Sequence, residues 1–90
     1  MRAANVDKNQ KSIVKHFRFL GASVTHLHGV GGGVPDLLVG YNGVNYMVEV
    51  KTSKGKLNEK QVEYFNNWNG QVCVIRTNNE VEELLGLKGL

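Results

Sequence analysis

Asp36, Glu49 and Lys51 are the residues of this chain whose types and spacing suit metal-assisted phosphoryl chemistry. The stretch between the acids reads Leu37-Leu38-Val39-Gly40-Tyr41-Asn42-Gly43-Val44-Asn45-Tyr46-Met47-Val48. Two apolar runs around Asn-Gly are a strong short-range hairpin signal. A two-residue loop at Asn42-Gly43 pairs Tyr41 with Val44, so paired residue numbers sum to 85. Asp36 and Glu49 also sum to 85 and are expected to face each other. Directly opposed residues have β-carbons about 5 Å apart. Lys51 lies two residues beyond Glu49, on the same strand face.

Two carboxylates at that distance repel by about 3 kcal/mol at an effective dielectric of 20. A divalent cation removes the penalty, and Mg²⁺ favours a few carboxylates plus water and phosphate oxygens. The plainer alternative is an exposed acid pair with Lys51 as a salt-bridge partner. Phosphodiester hydrolysis needs a positioned water, charge neutralisation and a protonated leaving oxygen. Carboxylate-bound metal polarises the phosphoryl oxygen and acidifies water, and a neighbouring ammonium stabilises developing charge. On this reading Asp36 and Glu49 are metal ligands, the Val50 backbone carbonyl is a third, and Lys51 is the cationic helper.

The elements that must position these residues follow from the pattern. Asp7 opens a first helix with Gln10 as its capping-box partner. Ile13, Val14, Phe17 and Leu20 recur at helical spacing, and Gly21 closes the element. Residues 22–28 read as a strand, 29–33 as a glycine-rich loop, and 36–41 with 44–51 as the hairpin. A basic connector over 52–57 leads to Asn58, an N-cap for a helix carrying Val62, Phe65 and Trp68. Residues 71–76 read as a buried strand, and Asn78 or Asn79 caps a short helix that turns Val81, Leu84 and Leu85 to the core. The order is α-β-β-β-α-β-α. The crossover through the second helix lets the last strand run parallel to a hairpin strand. The expected architecture is a four-stranded mixed sheet flanked by helices.

Composition bounds the rest. Ninety residues with 41% hydrophobic and 21% charged content make one small globular domain, spanning 1–90. The net charge of +3 mildly favours a polyanion partner. Lys54, Lys56 and Lys60 lie beside the proposed site, where they suit sequence-independent contacts to a phosphate backbone. The single cysteine, Cys73, excludes an intramolecular disulfide and fits a reducing cytoplasm. No signal-like or membrane-spanning stretch is expected, so no membrane partner. Gly29-Val30-Gly31-Gly32-Gly33 is not a dinucleotide fingerprint, because a strand and not a helix follows. His26 and His28 lack enough companions for a zinc site.

Pro-Asp, a dozen residues and then Glu-x-Lys is the signature of the restriction-endonuclease-like PD-(D/E)xK superfamily. The longer string is more specific. Gly33-Val34-Pro35-Asp36-Leu37-Leu38-Val39, Val48-Glu49-Val50-Lys51 and Gly55-Lys56-Leu57-Asn58-Glu59-Lys60-Gln61 together closely resemble the VRR-Nuc family, the virus-type replication-repair nucleases. The resemblance runs from the first helix through Arg76. It implies a restriction-endonuclease-like core and Mg²⁺- or Mn²⁺-dependent DNA cleavage. It further implies a homodimer acting on branched DNA such as Holliday junctions, in a bacterial or viral setting. It gives Gln61 a catalytic role near Lys51, where the residues alone suggest an exposed helix position. Many relatives carry a metal-binding glutamate on the first helix. Here Gln10 holds the best matching position and brings no charge. The missing acid leaves a second reading, a non-catalytic basic module that binds nucleic acid on the same fold.

Overall fold

Asn42 and Gly43 both adopt left-handed backbone conformations, with φ of 51° and 77°. This is the geometry of a tight hairpin turn matched to strand twist. It joins β2 (Leu37–Tyr41) to β3 (Val44–Val50). Their antiparallel register runs from Tyr41↔Val44 to Leu37↔Val48, so paired numbers sum to 85 as expected. The computed structural model of the protein describes residues 8–87. The expected helix cap at Asp7 lies outside the described residues.

The remaining elements are α1 (Lys8–Phe19), β1 (Ser23–His26), α2 (Glu59–Asn67), β4 (Val72–Ile75) and α3 (Asn78–Leu84). The sheet order is β1-β2-β3-β4. β1 is antiparallel to β2, and β4 is parallel to β3. This is the mixed four-stranded sheet and the αβββαβα order that the sequence implies. Among the described residues, no helix is long and apolar enough to cross a membrane.

Side-chain alternation divides the sheet into two unlike faces. Leu37, Val39, Val48 and Val50 join Ile13, Val14 and Phe17 of α1 and Val81 of α3 in one buried cluster. Met47 and Glu49 point the other way, towards α2. That helix buries none of its own residues, and Val62 and Trp68 are 43% and 45% exposed. The strand expected to be buried, β4, is half-buried except at Ile75. β4 is an edge strand of the sheet, and the thin cover from α2 leaves its second face open as well. α3 is capped by Thr77 rather than Asn78 or Asn79. Thr77 and Glu80 form a reciprocal capping box there, and the two asparagines become the helix's first residues.

Candidate active site

β2 begins at Leu37, so Asp36 sits one residue outside the strand, in a bend after the buried Pro35. Its backbone carbonyl accepts from Leu27 N–H at 2.7 Å. Its side chain continues the hairpin in place of the backbone: Oδ2 accepts from Val50 N–H at 2.9 Å. The carboxylate is thereby held beside β3 at the level of Glu49.

Glu49 is 3% exposed, and its Oε2 lies 3.4 Å from Lys51 Nζ. Gln61 Nε2 donates to the same oxygen at 3.0 Å. Gln61 is fixed from the other end too. Its Oε1 accepts from Asn58 N–H, and its own N–H donates to Asn58 Oδ1, both at 2.9 Å. The capping box that starts α2 therefore also aims Gln61 at Glu49.

Burial, and after it the negative charge of Asp36, raise the Glu49 carboxyl from its ordinary 4.5 to about 7, against the opposing pull of Lys51. Glu49 Oε1 is buried and has no hydrogen-bond partner among the described residues. A buried carboxylate oxygen left over beside a second carboxylate fits a hard divalent cation, which takes oxygen ligands. Among the described residues, no three of His, Cys, Asp and Glu gather to hold a metal. The site's carboxylates are two. Gln10 is buried in the first turn of α1.

Two side chains without any local sequence signal position Lys51. Asn9, beside Gln10, donates its amide to Lys51 O at 2.7 Å and to Arg76 O at 3.4 Å. Arg76, at the end of β4, donates to Thr52 O at 2.6 Å and Gly55 O at 2.7 Å, pinning the connector after Lys51. Lys54, Lys56 and Lys60 are exposed, and among the described residues none of them forms an ion pair.

The glycine-rich loop has a structural task. Gly33 has φ +85°, and a β-carbon there would lie 2.7 Å from the Lys60 carbonyl carbon and 3.2 Å from Gln61 N. Only glycine lets the loop touch the first turn of α2. Tyr64, further along α2, points its hydroxyl at Met47 Sδ, 3.7 Å away, and stacks on Trp68.

No protein-family model and no curated protein matches the chain. A solved structure described as a VRR_NUC domain is similar over 96% of this chain and 99% of its own, with a TM-score of 0.70 and 28% identity. Fold, motif and likeness agree: the chain is similar to a VRR_NUC domain along almost its whole length and has the restriction-endonuclease-like fold.

Proposed function

We propose that the protein is a divalent-metal-dependent DNA endonuclease, a single domain over 1–90 that works as a homodimer on branched DNA. The observation that carries this reading is the buried Glu49 held against Asp36, with Lys51 and Gln61 on its second oxygen. Asp36, Glu49 and the Val50 carbonyl would hold Mg²⁺ or Mn²⁺, and Gln10 would hold a water beside it. When bound, the ion polarises the phosphoryl oxygen and lowers the pKa of water. Lys51 orients the attacking water and stabilises the charge that develops on the phosphoryl oxygens. Water oxygen bonds to phosphorus, the bridging P–O bond breaks, and the leaving oxygen takes up a proton. Gln61 holds the Glu49 carboxylate in place. Lys54, Lys56 and Lys60 contact the backbone of the bound strand.

A dimer is supported by apolar surface on the α2 side. Leu38, Val62 and Trp68 are 38%, 43% and 45% exposed there. Symmetric cleavage of a four-way junction also needs two sites.

The test uses labelled four-way junction, flap and plain duplex with Mg²⁺ or Mn²⁺. The pure protein is expected to cut the junction or flap faster than the duplex, and Lys51→Ala to cut none. No cleavage by the parent, or equal cleavage by the variant, sinks the proposal. Junction binding indifferent to EDTA and to Asp36→Ala, without cleavage, identifies a non-catalytic module instead.

A further inference from the structure

A groove lies on the opposite side of the sheet from Glu49, between the exposed flank of α1 and the edge strand β1. It has a volume of about 460 Å³ and is lined by Lys11, Val14, Lys15, Arg18, His26 and His28. Val14 forms part of its floor from the core, and the other five side chains are exposed. No acid lines it. Arg18 bridges the two walls by donating to Val24 O at 3.2 Å. The two imidazoles meet edge to face at 5.7 Å on the opposite wall.

Three features suit a polyanionic strand. Lys11, Lys15 and Arg18 follow at spacings of four and three, so they share one helix face. They span about 10 Å at 1.5 Å per residue. A DNA strand carries one charge per nucleotide, so a run of three cations can meet successive phosphates. Imidazole and guanidinium groups add directional donors for phosphate oxygens.

Both walls adjoin, in sequence, residues bonded to the candidate active site. Lys11 is two residues beyond Asn9, whose amide bonds Lys51 O. His28 follows Leu27, whose N–H bonds Asp36 O. The Lys11 and His28 end of the groove is therefore the end nearer the candidate site.

We propose that the α1–β1 groove is a second binding site for DNA sugar-phosphate backbone, which holds a segment continuous with the one being cut. This rests on the nuclease reading above for its purpose, though not for its measurement. The groove contributes affinity and not chemistry, and it is separate from the lysines of the 52–57 connector and α2.

The experiment compares the parent with Lys11→Ala/Lys15→Ala. Circular dichroism checks that the variant is folded. Binding to a fluorescent junction is measured in EDTA across a salt series, where cleavage plays no part. The steepness of log K against log salt is expected to fall by about 2, one for each lost phosphate contact. With Mg²⁺ or Mn²⁺, KM rises and kcat stays unchanged. A folded variant with the parent's salt dependence and KM overturns the groove and leaves the nuclease reading standing. A parent that binds but never cuts, with a shallower slope in the variant, upholds the groove and removes the nuclease reading. A parent that does not bind DNA overturns both.

Discussion

Gln61 connects Glu49 to the start of α2: its amide nitrogen donates to Glu49 Oε2 at 3.0 Å while its amide oxygen caps Asn58 N–H at 2.9 Å. One side chain thus serves helix and site together. Gln61→Glu keeps the capping acceptor and replaces the donor with a third carboxylate. Hydrogen bonds to charged groups contribute about 1.5–3 kcal/mol, so cleavage is expected to drop roughly 10- to 100-fold. The helix is expected to persist by circular dichroism. Undiminished cleavage by this variant would remove Gln61 from the machinery.

Asp36→Asn retains an acceptor for Val50 N–H and removes the charge. The fold is expected to survive and metal binding to weaken. At Mn²⁺ concentrations a hundredfold above its dissociation constant, the parent gains about 2.7 kcal/mol of stability. That gain, read as a rise in melting temperature, should disappear in the variant. An equal rise in both proteins would show that metal binds elsewhere.

The pH dependence of the metal-free protein has a defined sign. Glu49 titrates near 7 when folded, against an ordinary 4.5, so the folded state holds this proton more tightly than the unfolded chain. Stability from this group is full below 4.5 and declines as pH rises towards 7, by about 3 kcal/mol for a shift of that size. Glu49→Gln is expected to flatten that slope. It should melt higher than the parent at pH 8 in EDTA while losing cleavage. Parent and variant melting curves that coincide at pH 8 would contradict this.

Gly33 and Gly32 form a controlled pair. Both have positive φ, +85° and +66°, but only Gly33 has backbone of α2 against its missing side chain. Replacing either by alanine carries the strain of a left-handed residue, about 1–2 kcal/mol. Gly33→Ala must also push α2 away and carry Gln61 off Glu49. Its cleavage should fall well below that of Gly32→Ala. Matching rates for the two variants would mean that the loop does not set Gln61.

The sequence made the hairpin legible because Asn42-Gly43 admits few other turns, and its register then aligned Asp36 with Glu49. Asn58 is legible as a cap, but a glutamine three residues on equally suits an exposed helix face, so its reciprocal bond does not follow from the spacing alone. Two adjacent asparagines, Asn78 and Asn79, obscure the start of α3, which Thr77 sets through its reciprocal contact with Glu80. Asp36 proved to continue the hairpin by its side chain and not its backbone, a substitution that periodicity does not encode. Asn9 and Arg76 were invisible for a related reason. They bond backbone carbonyls, which every residue carries, so no partner type marks them in the sequence.

The bonds made by Asn9 close separations of 42 and 67 residues. The two carboxylates meet through a hairpin that forms locally, yet Lys51 is secured only when the first helix and the last strand have both arrived. Such distant closures come late, because loop entropy must be overcome before they form. Completion of the site is therefore tied to completion of the chain's folding. The geometry around Lys51 thus depends on contacts from both ends of the described chain, and not on the hairpin alone.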